Sequence, residues 1–227
     1  MSGGRAGTVD AVGSGGPGTI AQHAVEGLRR ALIAGELAPG DRVRQEELAE
    51  SLGISLAPVR EALATLEQEG QVSYRPRRGY FVTELEIEDV REIYELRALL
   101  EDRAARRALP LLDEDALGRI ELAARDCADA AGEGDVAAEL EANRRFHFAV
   151  LGAPGQLHTL RLIRLLWDST ETYRALYYNS PKAREESLRA HDRILAAIRE
   201  RDADHLVAEL GAHREQALER MAGILGA

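Results

Sequence analysis

The sequence predicts a mainly α-helical protein in which a three-helix unit with one short β-hairpin precedes an antiparallel bundle of helices. Apolar residues recur at helical spacing along most of the chain after Ile20. Strand-like runs occur in one place, between Val72 and Thr83. Beyond Ile87 the apolar pattern is helical throughout, and prolines and glycines divide it into segments.

The first helix of the N-terminal unit is predicted from its apolar spacing. Ile20, Ala24, Leu28 and Leu32 follow one another at helical intervals, and Gly35 ends the pattern. This spacing predicts a helix that ends near Gly35.

Two further helices and a hairpin complete this unit. A short helix is predicted at 45–52, and Gly53 ends it. Ser55 is typical of an N-cap and opens a third helix that ends at Gly70. Two strand-like runs, 72–75 and 80–83, follow on either side of a Pro-Arg-Arg-Gly turn. Three helices followed by a hairpin make a winged helix-turn-helix.

The rest of the chain is predicted to form an antiparallel all-α helical bundle of about six helices. Proline, glycine or aspartate residues separate the segments. The predicted helices are 87–108, 113–132, 135–152, 155–179, 182–201 and 203–224.

These patterns divide the chain into four parts. Residues 1–18 contain seven glycines and little that can pack, which predicts a disordered tail. Residues 19–83 form the predicted winged helix-turn-helix domain, residues 84–90 a linker, and residues 91–227 the all-α domain.

Composition and charge exclude several classes of protein. Residues 19–83 carry eight arginines and nine acidic residues, so the net charge of −10 comes almost entirely from residues 84–227. A nearly neutral N-terminal unit can still present a basic face. Cys127 is the only cysteine, which excludes a disulfide framework and a cysteine zinc site within one chain. No apolar run can span a membrane and no secretory signal is visible, so we expect a cytoplasmic protein without a membrane partner.

Several spaced motifs run through the N-terminal unit without a gap: GELAPGDRV at 35–43, ELA at 47–49, LGIS at 52–55, PVREAL at 58–63 and RPRRG at 75–79. Together they resemble the N-terminal domain of the GntR family of regulators over about residues 20–83. The resemblance implies binding to double-stranded DNA.

The third helix is the one that a helix-turn-helix places in the major groove. Ser55, Leu56, Ala57 and Arg60 occupy its N-terminal end. Arg60 suits guanine or a phosphate, and a serine hydroxyl suits a phosphate. GntR members commonly carry arginine and then threonine after the serine, so a base-reading arginine is absent here. We expect Leu56 to contact a thymine methyl instead.

The predicted wing supplies further basic residues. Arg77 and Arg78 stand beside Gly79, which allows a tight tip to approach the minor groove. Arg42 and Arg44 precede the second helix and are candidates for contacts to the DNA backbone. The alternative is that these arginines are only solvated.

Polar residues interrupt the apolar faces of three helices in the C-terminal half. Asn143 and His147 are four residues apart and share one face, and His191 and His213 interrupt the stripes of two other helices. Buried polar groups need partners, and neutral imidazoles suit a divalent transition metal. We therefore predict a shared metal site, the alternative being three separately satisfied core histidines. The remaining histidines lack the pattern and are predicted to be surface or structural: His23, His158 and His205.

The segments NRRFH at 143–147 and HDRI at 191–194, with His213, resemble the FCD ligand-binding domain of the FadR subfamily over about residues 87–222. In that family an aspartate, sometimes an asparagine, and three histidines bind a metal, commonly zinc or nickel. The metal often helps to hold an organic-acid effector. The resemblance implies a divalent metal and a small carboxylate effector here, with Asn143 as a weaker, neutral ligand.

Arg97 is the principal candidate for contact with the effector. It interrupts an apolar stripe and could clamp a carboxylate with two hydrogen bonds. The alternative is an ion pair with Glu101, one helical turn away. Tyr173 and Asn179 are weaker candidates for the lining of the same pocket, predicted from their positions on a long helix.

The sequence is therefore expected to encode a ligand-responsive transcription regulator, a repressor that binds a pseudo-palindromic operator as a homodimer and is not an enzyme. Two other functions stay open. A histidine site with open positions suits a metal-dependent hydrolase, although no general base is evident. The helical domain is alternatively a purely structural dimerisation module.

Overall fold

The computed structural model describes residues 17–152, 155–178 and 180–226. Its N-terminal unit consists of three helices and a small sheet. These elements are α1 (Pro17–Ile33), β1 (Arg42–Val43), α2 (Gln45–Leu52), α3 (Leu56–Gln68), β2 (Val72–Arg75) and β3 (Gly79–Val82).

The sheet is antiparallel and has the order β1-β3-β2. The hairpin pairs Val72 with Val82 and Arg75 with Gly79, as the predicted turn requires. Sequence analysis missed β1 because two residues are too few to show an alternating pattern. Its pairing with β3 places Arg42 opposite Phe81, beside the wing.

The turn between α2 and α3 depends on Gly53, which adopts φ +65° and caps α2. α1 packs on α3, and α3 packs on β2. The core of this domain is aliphatic and includes Leu28, Val59, Leu63 and Leu66. The predicted winged helix-turn-helix is confirmed.

The C-terminal unit is an all-α bundle, as predicted. Its helices are α4 (Ile87–Ala108), α5 (Glu114–Glu133), α6 (Val136–Leu151), α7 (Leu157–Ser169), α8 (Glu171–Tyr178), α9 (Pro181–Glu200) and α10 (Ala203–Leu225), with a 3₁₀ turn at Leu109–Leu111.

Four of these helices, α5, α6, α9 and α10, begin at an aspartate or serine whose side chain caps the first turn. Asp113 accepts a hydrogen bond from the amide of Ala116, and Asp135 accepts one from the amide of Ala138. Asp202 caps α10 in the same way, and Ser180 caps α9. The caps fix where each helix begins.

The single helix predicted at 155–179 is wrong, because the structure divides this segment into α7 and α8 at Thr170. The Thr170 hydroxyl lies 3.3 Å from the carbonyl of Trp167, and the Ser169 hydroxyl donates to the carbonyl of Leu166 at 3.1 Å. Such back-bonding by serine and threonine competes with the helical ladder and bends it. Thr170, with φ −107° and ψ 3°, lies between the two helices.

Two apolar clusters fill the bundle. The larger contains Phe146, Ile163, Trp167 and Ile198. The second contains Val90, Tyr94 and Tyr178, and Ile33 at the end of α1 packs against it. The two domains are therefore in contact through α1.

The ends of the predicted tail and of the predicted linker can be compared with the observed starts of α1 and α4. Residues 1–16 of the predicted tail lie outside the described ranges, and α1 begins at Pro17. The predicted linker 84–90 includes the first turn of α4, which starts at Ile87. Among the described helices, none is both long enough and apolar enough to cross a membrane.

Candidate functional site

The N-terminal end of α3 is open at the surface. Ser55 is the N-cap residue, as predicted, but its hydroxyl makes no capping hydrogen bond. Ser55, Ala57 and Arg60 are exposed, Leu56 is partly exposed, and the first turn has no acidic residue. Arg60 Nε donates to Gln45 Oε1 at 3.2 Å on this same surface. A positive helix end beside a free hydroxyl and an exposed guanidinium suits phosphates and base edges.

The wing tip is a tight and strained turn. The amide of Arg78 donates to the carbonyl of Arg75 at 2.9 Å, which closes the turn over Pro76 and Arg77. Arg77 adopts φ +63°, a left-handed conformation that costs a non-glycine residue roughly 1–2 kcal/mol. Strain held at an exposed arginine is typical of a functional position.

The two arginines before α2 differ in their surroundings. A methyl group added at Gly79 would lie 3.8 Å from Arg42 Nη2, so this guanidinium is close to the wing tip. Arg44 instead pairs with Glu47 at 2.8 Å, and both side chains are exposed. Arg42 thus lies with the wing arginines, whereas Arg44 has the ion pair of an ordinary solvated side chain.

The three predicted histidines meet inside the bundle. His147 on α6, His191 on α9 and His213 on α10 each offer a ring nitrogen, and these atoms all lie within 4.8 Å of one another. The rings of His147 and His213 stack with their centroids 5.1 Å apart. We call these three residues the histidine triad.

Burial keeps the triad unprotonated. Desolvation lowers the pKa of His147 well below its usual value, and the charges of the neighbouring histidines and of Arg97 and Arg174 lower it further. Burial lowers the pKa of His191 to about 3. The pKa of His213 is also lowered, first by desolvation. Neutral imidazoles with free lone pairs are the form that binds metals.

Asn143 lies with the triad, as predicted. Its Oδ1 is 3.1 Å from Nε2 of His191. This spacing is about that of two ligand atoms at neighbouring positions around one ion. Asn143 is therefore placed either to ligate a metal or to hold the His191 ring by a hydrogen bond.

The triad fits a divalent transition metal. Both ring nitrogens of His147, and Nδ1 of His191 and of His213, are buried and have no hydrogen-bond partner among the described residues. Separately satisfied core histidines would have such partners. Three nitrogen donors and an amide oxygen suit zinc or nickel better than magnesium or calcium.

The other three histidines lie apart from the triad, as predicted. His23 and His158 are exposed. The ring of His205 lies 2.8 Å from a Glu200 carboxylate oxygen, and this hydrogen bond raises the pKa of His205. None of the three shares the cavity next to the triad.

That cavity is small, about 20 Å³, and Arg97 lines it. The alternative foreseen for Arg97 is realised, because its Nε donates to Glu101 Oε1 at 2.8 Å. Its Nη1, however, is buried without a partner. The guanidinium also lies against the rings of Tyr94 and Trp167. Arg97 thus has an internal ion pair, and its Nη1 is left to donate to a ligand.

Sequence reasoning named Glu101 only as a partner for Arg97 and missed its wider role in the lining of this cavity. Glu101 accepts hydrogen bonds from Arg97, from Nη1 of Arg214 and from Nε1 of Trp167. Burial raises its pKa, but the charges of Arg97 and Arg214 outweigh that and lower it. Glu101 is therefore an anion that fixes two arginines in the cavity wall.

Arg174 on α8 was missed as well. It lines the cavity, is only 3% exposed, and lies with its guanidinium 4.3 Å from the centre of the Trp167 ring. In sequence it resembles any arginine on a helix. The sequence gives no signal for it, because only the structure shows that every residue from Glu171 to Ala175 is buried.

The expectation for Tyr173 is corrected by the structure. Tyr173 is buried but does not line the cavity, because its hydroxyl accepts a hydrogen bond from the amide of Leu85 at 2.7 Å. This hydrogen bond connects α8 with the segment between β3 and α4. Asn179 lies outside the described residues.

Comparison with known proteins agrees with this architecture. Residues 20–82 match the gntR family of bacterial regulatory proteins, and residues 92–216 match the FCD domain. The chain is 28% identical to the HTH-type transcriptional regulator YdhC of Bacillus subtilis, over 87% of this chain and 89% of that protein. It is 30% identical to the Nta operon transcriptional regulator of Aminobacter aminovorans, over 82% and 88%.

Among solved structures, E. coli McbR/YncC superposes with a TM-score of 0.79 at 25% identity, covering 90% of this chain and 98% of that one. These relatives are regulators, so the hydrolase alternative is not supported. The chain belongs to the GntR family of bacterial transcription regulators, with an N-terminal DNA-binding domain and a C-terminal FCD domain, and is not an enzyme.

Proposed function

We propose that this regulator is a homodimeric repressor whose C-terminal domain binds a small organic acid together with a divalent metal, zinc or nickel. One observation carries the proposal: three unprotonated imidazoles with unpartnered nitrogens lie together in the bundle, and two of them, His147 and His213, line a cavity with arginine side chains. Repression needs only that the bound protein occupies the operator. The effector then shifts the population between two placements of the DNA-reading domains.

Helix α8 supports a route from the cavity to the DNA-binding domain. Arg174 lines the cavity, and Tyr173, the residue before it, holds the amide of Leu85 next to the wing domain. Glu171 opens α8 and lines a cleft with Arg29 of α1 and Arg144 of α6. Burial raises the pKa of Glu171, and the nearby positive charges of Arg174, Arg144 and Arg29 oppose this rise. A ligand that moves α8 would therefore disturb both domains.

An exposed apolar face supports the homodimer. Leu96 and Leu99 on α4, and Leu162 and Leu165 on α7, are exposed, with Leu99 at 71%. α4 and α7 pack against each other, and we propose that these leucines belong to one interface, which we call the α4/α7 face. Exposed apolar patches mark protein interfaces, and a two-fold dimer matches the two half-sites of an operator.

Leu99→Glu is expected to weaken the dimer at least about tenfold, because a two-fold axis brings two like charges into an apolar interface. Sedimentation equilibrium measures the dimer dissociation constant. The matched control is Leu122→Glu, an equally apolar exposed site on α5. A wild-type monomer that binds one half-site as tightly as the full repeat would refute the dimer.

The proposed function is tested by DNA binding. Zinc-loaded protein is titrated onto a labelled duplex carrying the inverted repeat upstream of its own gene, with a panel of short carboxylic acids and their neutral amides. We expect at least one acid to lower the DNA affinity tenfold or more while its amide does not. If neither zinc nor any acid alters the affinity, the C-terminal domain is a structural dimerisation module and the proposed function fails.

A further inference from the structure

The charges in the cavity wall leave one arginine, Arg174, without an ion pair in direct contact. Arg97 pairs with Glu101 at 2.8 Å, and Arg214 pairs with Glu101 at 3.1 Å and with Asp102 at 2.5 Å. Two carboxylates thus balance two guanidiniums. Within the described residues, no carboxylate oxygen lies within 4.0 Å of the Arg174 guanidinium, which is buried beside them.

The unpartnered atoms of Arg174 form a receptor of defined shape. Nε and Nη2 are both buried and both lack a hydrogen-bond partner. Their N–H bonds point in the same direction along one edge of the planar guanidinium, which is the edge that binds both oxygens of a carboxylate. Stacking of the guanidinium on Trp167 holds that plane in place.

A buried, unpaired cation is destabilising, and two buried unsatisfied donors add to the cost. Another protein carboxylate would remove the cost, as Glu101 does for Arg97 and Arg214. Glu171, one turn earlier on α8, feels the charge of Arg174, but burial outweighs that charge and raises the pKa of Glu171. Glu171 lines the cleft with Arg29, and it accepts no hydrogen bond from Nε or Nη2 of Arg174. No group among the described residues therefore accepts a hydrogen bond from this edge of Arg174.

We propose that the Nε–Nη2 edge of Arg174 is a carboxylate-binding subsite of the cavity, separate from the histidine triad. The proposal rests on the proposed function and names the residue and the chemical group through which the effector is recognised. The ligand is a small carboxylic acid: a planar carboxylate matches the two-donor edge, and its single charge neutralises Arg174. The same cavity wall places the remainder of the ligand beside His147, His213 and Asn143.

The test uses acetate as the probe and acetamide as its uncharged match, on metal-free full-length protein so that metal binding does not enter. Isothermal titration in buffers of constant chloride measures both affinities. We expect saturable acetate binding to wild type and at least about tenfold weaker acetamide binding. Arg174→Lys keeps the charge but loses the two-donor edge, so acetate affinity should fall at least about tenfold. Arg193→Lys, on α9 and paired with Glu209, is the control.

A crystal structure of wild type with acetate covers the case in which Arg174→Lys does not fold. Both acetate oxygens should lie about 2.7–2.9 Å from Nε and Nη2. Acetate bound elsewhere, equal binding of acetamide, or an unchanged acetate affinity in a folded Arg174→Lys would overturn the subsite. If an acid releases the protein from DNA but acetate binds Arg174→Lys as tightly as wild type, the subsite is rejected and the proposed function stands. If Arg174→Lys loses acetate binding but no acid alters the DNA affinity of wild type, the sensing function is rejected and the subsite stands.

Discussion

Replacing His191 by alanine is expected to abolish stabilisation of the protein by zinc. In wild type, zinc at a hundredfold excess over its dissociation constant should add about 2.7 kcal/mol to the free energy of unfolding and raise Tm by roughly 5–10 °C. Loss of one triad ligand should weaken zinc binding more than about 100-fold, since loss of groups that only orient ligands already costs 10–100-fold. Tm is measured for each variant with and without zinc, so that any cavity left by the mutation cancels.

Two further variants make this result specific. His158→Ala removes an exposed histidine outside the triad and should keep the full zinc shift. Asn143→Asp, on effector-free protein, should tighten zinc binding, because a carboxylate is a stronger ligand than an amide.

Burial lowers the pKa of all three imidazoles, so the rise in Tm that zinc causes in wild type should be as large at about pH 6 as at about pH 7.5. An equal zinc shift in wild type and His191→Ala would refute the site.

Arg60→Ala is expected to lower operator affinity roughly 10- to 100-fold without changing the fold. Loss of one two-point guanine contact costs about 1–3 kcal/mol, and the exposed side chain has only the hydrogen bond to Gln45 to lose within the protein. Fluorescence anisotropy with operator and random duplexes measures the discrimination. Arg145→Ala, an exposed arginine on α6 that pairs with Asp126, is the control.

The salt dependence separates two roles of Arg60. If it reads a base, affinity falls for the operator alone and the salt slope stays the same. If it contacts only phosphate, affinity falls on all duplexes and the slope decreases by about one. Unchanged operator affinity in Arg60→Ala would mean that the N-terminal end of α3 is not the reading surface.

The histidine triad was predictable because helical spacing is a local property. The interval between Asn143 and His147 puts both on one face of α6, and each remaining histidine interrupts the apolar stripe of its own helix. Packing of amphipathic helices brings such faces together without further information. The same logic predicted the winged helix-turn-helix, where Gly53 and the wing turn mark the boundaries of the elements.

The arginine network was not predictable, because its pairings join residues far apart in the chain. Glu101 binds Arg214, 113 positions away, and Trp167, 66 positions away. No local pattern distinguishes Arg174 or Arg214 from arginines that lie in solvent. The break at Thr170 was missed for a different reason: hydroxyl back-bonding competes with the helix only where packing allows it.

Tyr173 is a residue that the sequence placed in the cavity lining and the structure does not. Its place on a long predicted helix indicated a pocket residue, but that helix is divided at Thr170 and the Tyr173 hydroxyl accepts a hydrogen bond from Leu85 instead. The error depended on the helix boundary and not on the residue type. Its neighbour Arg174 faces the cavity that Tyr173 was expected to line.

The metal content of the protein as purified tests the central claim most directly. Wild-type protein without an affinity tag is analysed for zinc, nickel, copper, iron and manganese beside His147→Ala prepared in the same way. The arrangement of His147, His191 and His213 predicts about one zinc or nickel ion per chain in wild type and essentially none in the variant. Metal far below one ion per chain in wild type, at a level that His147→Ala leaves unaltered, would contradict the account and leave the triad as three core histidines.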